Sequence, residues 1–475
     1  MNAGTGMTKR HKAIFTVLIA GSTVSSLIQS ALNTALTPIM ADMGVTAATV
    51  QWLSSIYSLV AGIVILATAF LIRSIPTRRL YLLAMGAFTV SLLTAALSKT
   101  FAVLLCARIL QAMGMGVLLS LAQVVILTIA PPERRGTMMG TYGLAVCAAP
   151  VIAPTLAGFI VDACGWHMIF WAAFVLAAVI WVLGFFVMEN VLETERQRFD
   201  LLSMLLCAAG FTGVLLGAGN ISKAAFLSVR VLGLLLAGAA ALALFVWRQR
   251  RMDVPFLELG LLKIQEYRLA VFSDMLLYAA MLGAGVLVPI YIQSMRGYSA
   301  TVSGLVTMPG AVVSAVVSPI AGRMYDKMGI RRLTLAGVSL ILAASVGLCF
   351  LGPETPLLFI TGMYMIRSGG IGMLMMTTVT WGMSYVDRRH TSHGTAMLSS
   401  LRTLAGAFGA AVFTAVMELT ADGQTGAAMI PGMNTAFRGL TCLVALNLLL
   451  AIFCIGRNRP GSGCKRCVSK GGDAA

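Results

Sequence analysis

The sequence predicts an all-α integral membrane protein of 14 transmembrane helices, two six-helix bundles with two further helices inserted between them. Three observations lead there. Hydrophobic residues make up 59% of the chain and charged residues 11%, so one aqueous core cannot hide the apolar surface and lipid must solvate much of it. Fourteen apolar stretches of about 20 residues, the length a bilayer crossing needs, divide the chain. Lys and Arg collect in every second gap between them. Of the 34, 26 lie in the N-terminal segment, alternate loops and the tail, against Lys99, Lys223, Arg230, Arg296 and Arg438 on the opposite side. That bias places both termini in the cytoplasm.

The stretches centre near residues 26, 61, 89, 115, 149, 177, 210, 238, 282, 311, 342, 371, 405 and 446. The first follows Lys9-Arg10-His11-Lys12, the charge pattern of a secretory signal, but its apolar run continues past Ala31 and further spans follow, so an uncleaved helix is expected. Most loops are short and leave no room for a catalytic domain outside the membrane. The longest cytoplasmic connections, Glu189 to Asp200 and Arg248 to Arg268, bracket the pair at 201–247. The chain therefore divides into an N-terminal bundle (1–190), two additional helices with flanking loops (191–252), and a C-terminal bundle with a short basic tail (253–475). The inserted pair has no ionisable residue in its apolar cores and reads as a peripheral spacer.

Several function classes fall away. The net charge of +17 is spread over cytoplasmic segments beside helix ends, where anionic lipid headgroups and topology account for it better than nucleic acid does. Seven of nine cysteines lie in or at the edge of helices, and Cys464 and Cys467 form one CxxC in the tail without a second ligand pair, so neither a disulfide framework nor a metal site is expected. HExxH, GxSxG and Walker-type motifs are absent, and His11, His167, His390 and His393 lie near loops rather than in a cluster. An enzyme is not expected, nor a cofactor.

An internal repeat supports two related halves. The segment after the tenth stretch, Gly322-Arg323-Met324-Tyr325-Asp326-Lys327-Met328-Gly329-Ile330-Arg331-Arg332, has a degraded copy after the second, Ala69-Phe70-Leu71-Ile72-Arg73-Ser74-Ile75-Pro76-Thr77-Arg78-Arg79. Equivalent loops are expected where two halves rock about a central site. The Gly322 to Arg332 segment resembles the cytoplasmic loop signature G-x-x-x-D-x-x-G-x-R-[RK] of the major facilitator superfamily. Arg108-Ile109-Leu110-Gln111-Ala112-Met113-Gly114-Met115-Gly116 resembles R-x-x-Q-G-x-G-x-G, with Ala112 at the first glycine, and Pro150 to Gly158 resembles the antiporter motif, with Ala149 and Ala157 where glycine is usual.

Together with Pro289-Ile-Tyr291-Ile-Gln293, Gly297-Tyr298-Ser299, Met308-Pro309-Gly310 and Arg402 to Gly409, these stretches resemble the fourteen-helix drug:proton antiporter branch of the EmrB/QacA type. Gln29, Ser30 and Asn33, with Ile28 where that branch usually carries an acid, are similar to the lincomycin-resistance LmrB-like subgroup. So are Thr68 to Ile72, Thr77 to Leu80 and Val125 to Gly136. The resemblance implies the major facilitator fold in a bacterial cytoplasmic membrane, protons as the driving force, and export of an amphipathic small molecule such as a drug or lincosamide. An exporter of a native metabolite, lipid or peptide has the same fold and remains the alternative; a non-transporting membrane sensor is more distant.

An ionisable side chain at mid-membrane costs about 3 kcal/mol on insertion scales, so each one needs a reason. The candidates for proton coupling or charge balance are Asp274, Arg108, Arg367, Arg402 and Glu418. Two readings stand for Asp274: the proton carrier, or an interfacial residue or static ion-pair partner near Arg268. Glu418 lies near Asp422 and the outer loop, where solvation is expected. Arg108 cannot shed its proton, so it can balance charge but not carry the proton; Gln111 falls on its face. Arg367 and Arg402 either do similar work in the other half or clamp helices.

Gly143, Pro150, Pro154 and Gly158 combine small contact surfaces with missing backbone donors and read as a pivot between the halves. The segment with Gly322, Arg323, Asp326, Gly329, Arg331 and Arg332 reads as a cytoplasmic gate, with Asp326 at the start of the eleventh helix favouring that helix's positive end and the adjacent Arg residues. Arg73 at the matching place makes the gate asymmetric. Gln29, Asn33, Gln51, Trp52, Tyr57, Gln111, Tyr278 and Tyr291 are candidates for an amphiphile pocket, and 29 methionines add adaptable surface, although each residue has ordinary packing as its alternative.

Overall fold

The structure, a computed structural model, describes residues 8–50, 52–192, 194, 200–219, 229–252, 257–298, 300–387, 390–423 and 426–455, with backbone only at some helical positions that include Asn33, Pro150 and Pro154. Gln51, Arg388, Arg389, Cys464 and Cys467 lie outside it. Helices dominate. The first group is α1 (Lys9–Met43), α2 (Trp52–Ser74), α3 (Thr77–Ala96), α4 (Phe101–Ile129), α5 (Arg135–Cys164) and α6 (His167–Val187). A pair follows, α7 (Leu201–Gly219) and α8 (Val229–Gln249). The last group is α9 (Gln265–Ile290), α10 (Ala300–Met328), α11 (Ile330–Gly347), α12 (Leu357–Met383), α13 (Thr391–Leu419) and α14 (Ile430–Phe453).

Local chemistry sets the ends. The Thr8 hydroxyl accepts from the His11 amide and opens α1, and Gly44, at φ 61°, closes it by donating its amide to the Met40 carbonyl. Pro76 and Pro356 immediately precede α3 and α12, where a missing amide hydrogen costs nothing. A single residue, Gly329 at φ 75°, turns the chain from α10 into α11. The expected loop from Gly322 is therefore helical as far as Met328, because only Gly329 interrupts the helical pattern.

Among the described residues eleven helices are long and apolar enough to cross a membrane, and twelve when the bent α2 counts as one span. The protein is an all-helical, multi-pass membrane protein. Over their described residues neither α5 nor α7 meets that test; the apolar run described in α7 is Leu201–Val214. The most buried span is α4, 83% inside the protein, whereas α6 and α8 are 22% and 17% buried and show their apolar sides outward. Within the first group α1 packs on α4, α5 and α6, and α4 on α2 and α3; within the last, α12 packs on both α10 and α11, and α9, α13 and α14 pack mutually.

Glycines draw α7 and α8 together. A Cβ added to Gly213 would stand 2.7 Å from the Gly238 Cα, and the flanking Gly210 and Gly217 receive Leu242 and Leu235. At the foot of the pair Asp200 takes two bonds of 3.1 Å from Arg248 and one from the Ser203 hydroxyl. The Gln249 amide in turn holds the Ser203 oxygen at 2.7 Å. Besides packing on each other, the pair touches both groups, since α7 lies against α2 and α13.

The two six-helix groups meet along α5 with α10 and α2 with α13. Their cross-seam hydrogen bonds lie toward the end that carries the arginine-rich connections, called here the cationic end. Asp42 and Trp166, joined by a 3.0 Å bond, mark the opposite end.

Candidate functional site

Asp274 is completely buried and is the one carboxylate in that class among the described residues. Its Oδ2 lies 3.8 Å from Nη1 of Arg402 on α13, and neither carboxylate oxygen accepts a hydrogen bond among the described residues. The Arg402 guanidinium sits 5.2 Å from the ring centre of Tyr278, one turn along α9. Small residues allow this closeness: a Cβ on Gly406 would stand 2.7 Å from Tyr278, and one on Gly409 would stand 2.7 Å from Ala279. Behind the carboxylate, Ser273 donates to Asn447 of α14 at 2.8 Å. Arg268 is exposed, so burial and the cation of α13, rather than Arg268, define the surroundings of Asp274.

Arg108 and Arg367 occupy the same place in the two halves, the fourth helix of each group, and both are buried to 1% exposure. Arg108 donates from Nη1 to Gln111 Oε1 at 2.6 Å and from Nε to the Leu53 carbonyl of α2 at 3.3 Å, with the Tyr57 ring centre 4.0 Å away. The spacing of Arg108 and Gln111 already implied one helical face. Arg367 donates to the Ala280 carbonyl at 2.5 Å and to the Met281 carbonyl at 3.3 Å, and so ties α12 to α9.

Asp326 corrects its sequence reading. It stands in the last turn of α10, not at the start of α11, because the helix runs on to Met328. Its carboxylate accepts from the Gly136 amide at 2.8 Å, the Thr137 amide at 2.8 Å and the Thr137 hydroxyl at 2.6 Å. Asp326 thus caps α5 of the other group, an anion on the positive end of a helix. Arg323, Arg331 and Arg332 are exposed around it. Close approach along this seam comes from Gly136, Gly140 and Gly143: an added Cβ would stand 2.6 Å from the Asp326 Oδ1, 2.6 Å from the Ser318 carbonyl and 2.5 Å from the Ser318 hydroxyl respectively. Gly322 faces Gly136 and Gly140 from α10. Gly158, by contrast, has open space where a Cβ would go, so of the expected pivot residues Gly143 is at the seam and Gly158 is not.

The second seam joins Arg73 Nη1 at the end of α2 to Nε2 of His393 at the start of α13, 2.7 Å apart. Farther in, Ser399 of α13 donates to Gln123 of α4 at 3.3 Å. His393, Ser399, Gln123, Thr137 and Gly140 escaped the sequence reading as single polar or small residues. The spacing of Gly136, Gly140 and Gly143 along one helix face was the available signal.

The residues expected to line a pocket do not all converge. Tyr57 and Gln111 meet through Arg108, and Tyr278 meets Arg402. Gln29 is exposed and Trp52 is 49% exposed. Tyr291 belongs elsewhere. It is fully buried, donates to the Gly352 carbonyl at 2.5 Å and accepts from Arg296 at 3.2 Å, which makes it a clasp for the loop between α11 and α12. Glu418 is exposed near the end of α13.

The sequence model of the Major Facilitator Superfamily matches residues 18–410. The chain belongs to that superfamily. It is 37% identical over 454 residues to the uncharacterized MFS-type transporter YcnB of Bacillus subtilis (strain 168), covering 95% of this chain and 96% of that one. Lincomycin resistance protein LmrB of the same organism is 34% identical over 409 residues, 85% of each chain. The fold matches the crystal structure of the human organic anion transporter MFSD10 with a TM-score of 0.67 at 15% identity, over 93% of this chain and 99% of that one. This facilitator is a secondary transporter, not an enzyme, and its Asp274–Arg402 pair and two seams lie within that shared fold.

Proposed function

We propose that this chain is a proton-coupled exporter of amphipathic drugs across the cytoplasmic membrane of a bacterium. In this reading the chain makes fourteen crossings, both termini and the cationic end are cytoplasmic, and the bundles are 1–190 and 253–475 with the pair 191–252 between them. The observation that carries it is a lone buried carboxylate, Asp274, set 3.8 Å from Arg402 in a facilitator fold. A carboxylate loses its charge by taking a proton, and Arg does not lose its charge.

Neutralising Asp274 removes an attraction of about 4 kcal/mol at an effective dielectric constant of about 20 and frees α13 from α9. The same rigid helix carries Ser399 and His393 of the seam, so a proton bound at Asp274 is felt at the cytoplasmic gate. Arg108 balances charge in the first half, and Arg367 holds α12 to α9. Tyr57, Tyr278 and Gln111 offer aromatic and amide contacts to an amphiphile between the halves. The name of LmrB supports a drug of the lincosamide kind. One charge crossing about 150 mV releases roughly 3.5 kcal/mol, enough for a gradient of about a few hundredfold.

The test is expression in an efflux-deficient bacterial host, with resistance and drug accumulation measured across amphipathic antibiotics including lincosamides. The wild type should raise resistance to at least one and Asp274→Asn, at equal membrane level, should not. No change in accumulation of any drug in the panel would turn the reading toward a native metabolite.

A further inference from the structure

At the cationic end of the first group, the feet of α1, α3 and α6 enclose a cleft of about 630 Å³ whose lining includes Arg10, Arg78, Phe185, Phe186, Glu189 and Asn190. That is within the size range of ligand clefts, about 300–1,000 Å³. Its floor is fixed by bonds that owe nothing to a ligand. Past the end of α6, the Asn190 side-chain oxygen accepts from the Arg78 amide at 3.2 Å, and the Leu192 amide donates to the Thr77 hydroxyl at 3.2 Å. Arg78 donates from Nη2 to the Phe185 carbonyl at 2.8 Å, one of the acceptors that the last turn of a helix leaves open. Arg10, in the first turn of α1, meets Glu189 at 2.6 Å. Each guanidinium keeps donors to spare, since these are the side-chain bonds that the two make among the described residues.

We propose that this cleft holds the head of an anionic glycerophospholipid, a phosphodiester that carries a glycerol as in phosphatidylglycerol. The charge favours an anion: two guanidiniums stand against one carboxylate, and Lys9, Lys12 and Arg79 are exposed beside them in the chain. The phosphodiester oxygens suit the planar forks of Arg10 and Arg78. Glu189 would repel a phosphate alone, whereas the hydroxyls of a glycerol donate to its carboxylate and accept from the Asn190 amide. The cleft also lies where such a lipid is. It opens at the ends of three helices of membrane-crossing length, and α6 continues it outward with Phe185, 43% exposed, and Phe186, 77% exposed, on which acyl chains lie.

Every lining residue belongs to the first group or to the short segment that follows α6. Movement of one group against the other therefore leaves the site whole, and the lipid stays through the cycle as a brace between the feet of α1, α3 and α6. Its binding does not depend on what the protein carries or on which residue takes the proton.

The test needs no substrate and no gradient. The full chain, purified in a mild detergent, is titrated with phosphatidylglycerol, phosphatidylethanolamine and phosphatidylcholine of identical acyl chains, and bound lipid is counted by native mass spectrometry. The parent should take up one phosphatidylglycerol at least about tenfold more tightly than either zwitterionic lipid, the value of one charge-assisted bond. Arg10→Gln with Arg78→Gln should remove that preference. Lys12→Gln with Arg79→Gln takes the same charge from exposed positions outside the cleft and should keep it. If the first double variant loses thermal stability, Arg10→Glu decides, because the Arg10 side chain is 62% exposed and the fold does not rest on it; this variant too should lose the preference. A preference that survives loss of Arg10 and Arg78 in a stable protein, that survives Arg10→Glu, or that the Lys12 and Arg79 changes abolish equally, overturns the inference. So does phosphatidylethanolamine bound as tightly as phosphatidylglycerol. Displacement of the lipid by an equal concentration of glycerol 1-phosphate, which has no chains, would make this a site for a soluble phosphate and overturn the lipid assignment.

Discussion

Arg108 shows how much one buried side chain can be asked to do. Its guanidinium is shared between Gln111 on its own helix, the Leu53 carbonyl and the Tyr57 ring, an arrangement that uses the planar fork as well as the charge. Arg108→Lys keeps the charge and loses the fork, so export should persist in part; Arg108→Ala should lose at least about tenfold, the value of one charge-assisted bond of about 1.5 kcal/mol. Drug efflux at matched protein levels checks both. If both variants export normally, the role of Arg108 is structural alone. The motif made Arg108 and Gln111 legible as a pair, because three residues along a helix share a face. Which groups on other helices they meet was not legible, since that depends on how α2 and α4 are set against each other. For the same reason Asp274 was read beside Arg268, its neighbour in sequence, when the fold offers Arg402 instead. Tyr291 was misread because an aromatic residue in an apolar helix looks the same whether it faces a pocket or clasps a loop.

Helices act here through their ends and their glycines. Asp326→Asn leaves one carbonyl oxygen and no charge for three donors on α5, and should weaken closure of the cationic end by about 1–2 kcal/mol. Gly136→Leu forces a side chain against Asp326, Gly322 and Tyr325 and should bias the same end open by a similar or larger amount, as overpacking does at about 1–3 kcal/mol. Accessibility of an engineered cysteine beneath the seam reads both effects.

At the foot of α7, burial pushes the Asp200 carboxyl up, but the bonds from Arg248 and Ser203 outweigh it and hold it below the ordinary carboxylate range. A group depressed by folding adds stability above its unfolded value, about 3.9, and loses it as pH falls through the lower folded value. Thermal stability should therefore drop on acidification below about pH 4, and Asp200→Asn should lack that component. The positions of these helices were plain in the hydropathy, whereas the capping of α5 by the other half was hidden, because an aspartate near a glycine reads as a loop until the helix is seen to continue through it.

At the scale of the whole molecule, a membrane protein with so little polar surface has few ways to couple a proton to a movement, and Asp274 with Arg402 on α13 offers one that reaches the gate through a single helix. The repeat and the apolar spacing made a two-halved helical membrane protein legible from sequence, and the motif resemblance named the superfamily. In the proposed cycle, protonation of Asp274 drives transport. The direct measurement is export from proteoliposomes carrying a defined pH gradient, with drug flux and proton flux recorded together. The wild type should show both, each collapsing when the gradient is dissipated. Asp274→Asn, folded and reconstituted to the same density, should show drug flux that no longer responds to the gradient and no drug-dependent proton flux. Gradient-driven export that survives intact in Asp274→Asn would contradict the account.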